Sequence, residues 1–445
     1  MVIGGGFGGI QAVAGLRKAD VEVTLIDRRN FHLFQPLTYQ VATGALSSGD
    51  VAYPLRAIFK SAENVRVLLA DVTGFDLAGR EVQLAPTPGV RSGPATVGYD
   101  TLIVAAGSSY SYFGHEDWRQ YAYEVKTLES ALAVRSKILR AFETAELSAD
   151  PAEREAEMTF VIVGGGPTGV EMAGQIGELA GDTLRQDFRA IDPRQARVIL
   201  VDGLDRILQT FPASLSAKAT RSLRQLGVTT MTGQMVTGVD AEGVTISAKD
   251  GSTQRIASRT VIWAAGVTAS GLAAQLGELA GAEVDRAGRL TVEADLTIAG
   301  HPEVLVLGDM VRVRDGHGTA VTLPGVAPAA IQEGHYAAKL IRDRLDGRGT
   351  KPFHYRNKGN VATIGRGRAV VDLKVVRLSG LPAWVVWLVV HLFYLIGFEN
   401  RIVVLVRWSF SFFTHGRAAR VIDDLRALGP GEGLPPEVPA NRDGA

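Results

Sequence analysis

Residues Thr159–Ala173 read TFVIVGGGPTGVEMA. The apolar, β-branched run Phe160–Val163 feeds into Gly164, Gly166 and Gly169, spaced G-x-G-x-x-G, and then into a helix-forming segment. A strand, a tight turn and a helix start in that order are what the pyrophosphate of a dinucleotide requires. Gly164 allows the turn, Gly166 lets backbone N–H groups approach the phosphates, and Gly169 lets the helix pack closely on the strand. Pro167 suits a first-turn position, where an N–H has no intrahelical partner. One such motif is weak evidence, because glycine-rich turns recur throughout α/β domains.

The pattern occurs a second time, at the start of the chain. In MVIGGGFGGIQAVAGL the glycines are Gly4, Gly6 and Gly9, and a further strand, Val21–Ile26, ends in Asp27, where a carboxylate would meet an adenosine ribose. Two nucleotides in two Rossmann-like domains are therefore expected. Only Val2 and Ile3 precede Gly4, fewer than the roughly five or six residues of an average strand. The expectation is a clipped first strand, or a native chain that begins further upstream.

The second copy has its own acid. Arg197–Val201 reads as a strand ending in Asp202, a carboxylate that favours NADH over NADPH by repelling a 2′-phosphate. Arg206 nearby works against that preference. The interval from Gly169 to Asp202 exceeds the roughly 20 residues of a minimal unit, which requires an insertion. Two further strands, TLIVAAG ending at Gly107 and TVIWAAG ending at Gly266, repeat one another, as a duplicated architecture predicts. Small residues at a strand end permit close approach of a flat ligand. The strand Pro302–Asp309, PEVLVLGD, closes on Gly308 and Asp309. That acid either accepts from a ribityl hydroxyl or caps the next segment.

Composition narrows the chemistry. A chain of 445 residues suits two α/β domains and an appendage. Lys+Arg and Asp+Glu are equal at 47 each, so nothing points to nucleic acid. Cysteine is absent, which excludes disulfide reduction, cysteine-based sulfide oxidation and Cys-ligated zinc. The histidines, His32 and His391 among them, show no close ligand spacing, and no metal site is expected. The first ten residues carry no secretory signal pattern, leaving the cytosolic face as the default.

Near the C-terminus, Leu381–Phe398 reads LPAWVVWLVVHLFYLIGF, with Trp384, Trp387 and Tyr394 giving it the aromatic content of a membrane interface. A helix from Ala383 to Gly397 would span about 22 Å, short of the roughly 30 Å hydrocarbon core. It is expected to lie on or dip into one leaflet. A second apolar stretch, Ile402–Phe413, is interrupted by Arg407 and followed by Arg417 and Arg420, basic groups suited to anionic headgroups. The alternative is a buried helix or a homodimer interface. Leu428–Ala445, rich in Pro, Gly and charge, is expected to be disordered.

The segments FHLFQPLTYQVATG, GGGPTGVEMAG, DFRAIDPRQARVILVDGLDRIL, WAAGV, VLGDM and LPGVAPAAIQEGHYAAK together resemble the type II NADH dehydrogenases, the single-chain, FAD-dependent NADH:quinone oxidoreductases. The likeness runs from Val2 to about Ile422 and includes the long interval before Asp202. It implies a two-dinucleotide-binding-domain α/β flavoprotein with a C-terminal membrane-associated helical region. Residues 1–113 and 267–345 would form a discontinuous FAD domain, 114–266 the NADH domain, and 346–427 the region for membrane docking and dimerisation.

By the same resemblance, Gly4, Gly6, Gly9, Asp27, Thr43, Gly107, Gly308, Asp309 and Ala327 would hold FAD. Gly164, Gly166, Gly169, Asp202 and Gly266 would hold NADH. Glu171 would lie where nicotinamide and flavin meet and tune charge or relay protons; its plainer role is a first-turn carboxylate favoured by the helix dipole. Gln332 matches the second Gln of the family's quinone-side AQxxxQ pattern, while Pro328 replaces the first. A solvated helix position is the other reading of Gln332.

The implied reaction passes a hydride from NADH to the flavin and then two electrons to a membrane quinone, menaquinone or ubiquinone, without proton pumping. The implied location is peripheral, on the cytoplasmic face of the cell membrane through residues 381–420, as a homodimer. A soluble reductase of a ferredoxin- or rubredoxin-like carrier would share both glycine motifs without needing the apolar C-terminal stretch. A non-catalytic redox sensor would bind both nucleotides without useful turnover.

Overall fold

A computed structural model describes residues 1–86, 89, 93–414 and 416–422, apart from the side chains of Phe398 and Glu399. The expected disordered stretch Leu428–Ala445 lies outside them. The chain divides into two compact units. The first comprises Met1–Leu33, Ala52–Ser109 and Val267–Lys358. The second comprises Phe34–Val51, Tyr110–Gly266 and the described residues from 359 onward. These bounds depart from the expected ones: 34–51 group with the second fingerprint, and of the expected C-terminal region 346–358 falls in the first unit and the described residues from 359 onward in the second.

In the first unit a sheet runs in the order Thr297–Ile298, His301–Val306, Leu102–Val104, Val2–Ile3, Val23–Asp27, Val65–Leu69, parallel except at its first pair. In the second, Ala122–Glu124, Thr260–Trp263, Thr159–Val163, Arg197–Asp202 and Val228–Thr232 form an all-parallel sheet. Thr159–Val163 is buried at every position, consistent with a central strand covered on both faces. In each unit the fingerprint strand lies between the strand that ends in an acid and the strand that ends in Ala-Ala-Gly. The repeated sequences thus occupy equivalent places. Val2–Ile3 is indeed only two residues long.

Each glycine fingerprint opens a helix, Phe7–Leu16 in the first unit and Pro167–Glu178 in the second. The second helix passes into a π turn at Leu179–Thr183, and this with the turn Pro193–Gln195 fills the long interval before Asp202. In the first unit, helix Phe7–Leu16 packs against helix Ala327–Leu345 through small residues: a Cβ on Gly334 would fall 2.2 Å from the Gly8 carbonyl oxygen. That helix begins five residues before Gln332, so Gln332 lies within it.

The C-terminal part of the second unit is a three-stranded antiparallel sheet, Asn360–Gly365, Arg368–Asp372 and Arg377–Gly380, followed by helices Leu381–Tyr394 and Phe398–Thr414. The strand Asn360–Gly365 sits so close to helix Pro167–Glu178 that a Cβ on Gly174 would meet the Ile364 carbonyl oxygen at 1.7 Å. Among the described residues no helix is long and apolar enough to cross a membrane. Arg407 does not interrupt the second helix; its guanidinium pairs with Asp50 at 2.9 Å.

Arg417 departs from the expectation of a headgroup-facing cation. It is 6% exposed, donates to the carbonyls of Thr43 (3.0 Å) and Gln175 (3.2 Å), and pairs with Glu178 at 3.6 Å. Arg420 pairs with Asp187. Buried carbonyls and carboxylates need donors, and the chain after the last helix turns back to supply them.

Candidate active site and nucleotide cradles

The two glycine turns share one geometry. Gly4 N–H donates to Ile26 O, and Gly164 N–H to Val201 O, both at 2.8 Å. Gly4 (φ +98°) and Gly164 (φ +111°) are in the left-handed half of backbone space, and a Cβ on either would strike the carbonyl of Ala105 or Ala264. At Gly6 and Gly166 the opposite holds: a Cβ would meet nothing within 4 Å. Neither fingerprint helix has a side-chain cap or an acidic residue in its first turn. An open, glycine-floored space in front of uncapped helix amides fits an anionic pyrophosphate.

The acids complete the match. Asp27 accepts from Gly5 N–H (2.6 Å) and Arg29 N–H (2.7 Å); Asp202 accepts from Gly165 N–H and from Leu204 N–H (2.7 Å). Each carboxylate oxygen retains a lone pair for a ribose hydroxyl. Burial raises the Asp27 carboxyl above its usual range, and the two backbone N–H groups pull it partly back. Arg206 donates to the carbonyls of Phe211 (2.7 Å) and Gln209 (2.9 Å). Its charge staples the loop after Asp202.

Elsewhere in the first unit, Ser108 Oγ donates to Asp309 Oδ2, and Gly308 N–H donates to Glu333. Ala327 starts a helix whose N-cap, Val326, offers no side-chain cap. Gln332 commits its amide to backbone: Nε2 donates to Pro328 O (3.0 Å) and Arg356 O (3.1 Å), and Oε1 accepts from Arg356 N–H (2.9 Å).

In the second unit, Gly266 has φ +69°. Thr43, expected at the flavin, belongs to this unit; its hydroxyl donates to Tyr39 O at 2.9 Å and its carbonyl accepts from Arg417. Glu171 is 8% exposed and accepts one long bond from Thr363 N–H at 3.4 Å. Burial pushes its carboxyl up to about 8.

The model of the pyridine nucleotide-disulphide oxidoreductase family matches residues 1–334. Over 427 residues the chain is 46% identical to the type II NADH:quinone oxidoreductase NdhA of Mycobacterium tuberculosis, covering 95% of this chain and 88% of that protein. The chain belongs to the type II NADH:quinone oxidoreductases. A more distant member, from Staphylococcus haemolyticus, is 27% identical over 82% of this chain and 87% of its own. The fold is also that of the NDH2 of Plasmodium falciparum in complex with NADH, with a TM-score of 0.84, 20% identity, and coverage of 95% of this chain and 99% of that one.

Within this type II oxidoreductase, sequence reasoning missed several residues that the geometry brings forward. The middle glycines, Gly5 and Gly165, supply the N–H groups that orient Asp27 and Asp202. The uninterrupted triplets Gly4–Gly6 and Gly164–Gly166 were the available signal. Glu333 is fully buried, with its carboxyl raised by burial to about 8 and Oε1 lacking a hydrogen-bond partner. Its sequence neighbourhood gives no sign of this, because helix packing alone decides which face is covered.

Proposed function

We propose that this chain oxidises NADH through a bound FAD and delivers the electrons to a quinone at a membrane surface. The observation that carries the reading is the pair of matching cradles, each with its open glycine floor and its oriented acid, in a chain of this family. Bound FAD supplies the capacity to accept a hydride from NADH and to release two electrons to a quinone. The chain's own groups hold the pieces. Helix amides after Gly6 and Gly166 neutralise pyrophosphates, Asp27 and Asp202 grip riboses, and Glu171, protonated at neutral pH, keeps a proton available at a buried site.

The residues expected at FAD and NADH are part of this proposal. Gln332 acts within it by fixing the Arg356 backbone on the helix that starts at Ala327. A small recess in the second unit, partly open to solvent, sets Tyr39, Trp384, Trp387, Trp408 and Phe412 beside Glu178 and Arg417, and its aromatic side is the face on which a quinone ring would stack.

Membrane contact at the cytoplasmic face is likewise proposed. Val385, Val389 and Phe393 are exposed on the first C-terminal helix, and Val406, Phe410 and Phe413 on the second. Large apolar side chains left in water along two adjoining helices favour an interfacial position. The same faces would serve a homodimer.

The test is anaerobic reduction of the bound flavin by NADH, followed by menaquinone and ubiquinone analogues. Fast bleaching reversed by quinone is expected; slow bleaching that quinone fails to reverse would favour a sensor. For the membrane, replacing Val389, Phe393 and Phe410 with Ser should abolish sedimentation with anionic vesicles while the soluble quinone analogue is still reduced. Unchanged sedimentation would count against this face.

A further inference from the structure

Gly5 is held through both of the peptide units that flank its Cα. Its N–H donates to Asp27 Oδ2, and its carbonyl oxygen lies 2.9 Å from Nδ1 of His32. A carbonyl only accepts, so Nδ1 carries the proton and Nε2 is a bare lone pair. His32 is 2% exposed, and burial lowers its pKa to about 4, which keeps the ring neutral. Phe7 packs edge-on against the ring at 5.0 Å and fixes its plane. Nε2 has no hydrogen-bond partner among the described residues.

The other cradle shows what this arrangement does not need. There Gly165 N–H donates to Asp202, and the Gly165 carbonyl accepts from the backbone N–H of Leu208 at 2.7 Å. A main-chain amide therefore suffices to hold the middle glycine. In the FAD cradle an imidazole does the same work and brings a second nitrogen that the staple leaves unused. A buried acceptor with no donor is costly, unless something else supplies the donor.

Resting on the flavoprotein reading above, we propose that His32 is a flavin-binding residue whose Nε2 accepts a hydrogen bond from a ribose hydroxyl of bound FAD. An ionised pyrophosphate offers only acceptors and is the wrong partner for this tautomer. Ribose hydroxyls donate, and the ribose is the part of the ligand for which Asp27, bound to the N–H of the same glycine, is placed.

The test titrates the flavin-stripped full chain with FAD and with analogues carrying 2′-deoxy- or 3′-deoxyadenosine, followed by flavin fluorescence. Wild type should bind one analogue about five- to tenfold more weakly than FAD. In His32→Phe, FAD should bind more weakly and that ratio should shrink, whereas Asp27's share of the discrimination persists in both proteins. Equal losses for FAD and both analogues, with the ratio unchanged, would mean that His32 only staples Gly5, and the proposal would fail.

Should His32→Phe not fold, ¹⁵N-histidine spectra of the wild-type chain give the same answer, with His32 assigned by the signal lost in His32→Gln. FAD should move the Nε2 resonance as a hydrogen-bonded acceptor while Nδ1 stays protonated. An unmoved Nε2, or a doubly protonated ring, would overturn the assignment. A wild-type chain that binds no FAD would sink the flavoprotein reading itself, an outcome distinct from binding with an unchanged ratio.

Discussion

Thr363 donates its backbone N–H to Oε1 of Glu171 across 3.4 Å, a bond too long to offset the burial of a carboxylate. The consequence is a carboxyl that titrates at about 8 instead of its ordinary 4.5. Thr363 comes from the strand that Gly174 allows to lie against the fingerprint helix, so the C-terminal sheet, far away in sequence, sets the protonation state of a residue two positions after Gly169.

Stability should depend on pH through this group and through Glu333, raised likewise from 4.5 to about 8. Between those values the folded chain holds protons that the unfolded chain has released, so stability falls as pH rises through the window. His32 and His391, lowered from 6.5 to about 4, act in the opposite sense but only below 6.5. Thermal unfolding between pH 6.5 and 8 is therefore free of the histidines; the N-terminal ammonium, lowered by burial from 8.0 to about 6, opposes the two glutamates there but is common to every variant, so differences between variants report the glutamates. Tm should decline with rising pH in wild type and less steeply in both Glu171→Gln and Glu333→Gln; equal slopes in all three would refute the burial argument.

Gly6→Ala and Gly166→Ala should separate the two nucleotides. The added methyl meets nothing in the chain, so the unfolding free energy of the flavin-free proteins should stay within about 1 kcal/mol of wild type. It does occupy space the pyrophosphate needs. Gly6→Ala should be purified with flavin content down by about an order of magnitude or more. Gly166→Ala should keep its flavin and bind NADH correspondingly more weakly. A yellow Gly6→Ala protein with normal NADH oxidation would contradict the cradle assignment.

Arg417→Met should destabilise the second unit by about 3–5 kcal/mol, because Glu178 is left buried without its cation and two carbonyls lose a donor. Adding Glu178→Gln should recover part of that loss. Denaturant unfolding of the two single variants and the double variant gives the coupling. Simple additivity would show that the pair contributes nothing as a pair.

Asp202→Ala should raise KM for NADH by about tenfold, the loss of a charge-assisted bond to the ribose, without creating efficient use of NADPH. Arg206 is the cation best placed in sequence to take a 2′-phosphate, and it is tied to the carbonyls of Phe211 and Gln209. Steady-state kinetics with both nucleotides decide this. Strong NADPH turnover in the single variant would show that Arg206 swings away from its loop.

The duplication was legible in sequence because its determinants are local. A β-branched run, three glycines at fixed spacing and a helix start are read within fifteen residues, and an acid at the next strand end within one βαβ unit. The same locality made Gly4, Gly6, Gly9, Asp27, Gly164, Gly166, Gly169 and Asp202 identifiable before any coordinates. The length of the first strand and the filled interval before Asp202 were also visible as counts along the chain.

What the chain could not announce is which polar groups burial would enclose. Arg417 and Arg420 look like surface cations in sequence, yet Arg417 lies inside the second unit because Glu178 and two carbonyls there require a donor. Glu171, Glu333 and His32 have unremarkable neighbours in sequence, and their pKa values follow from desolvation, which depends on atoms contributed by distant segments. Sequence alone settled where the two glycine turns and their strand-end acids fall. Tertiary packing alone decided which of the flanking acids, cations and imidazoles are withdrawn from water, and so which are neutral, paired or left with an unused lone pair.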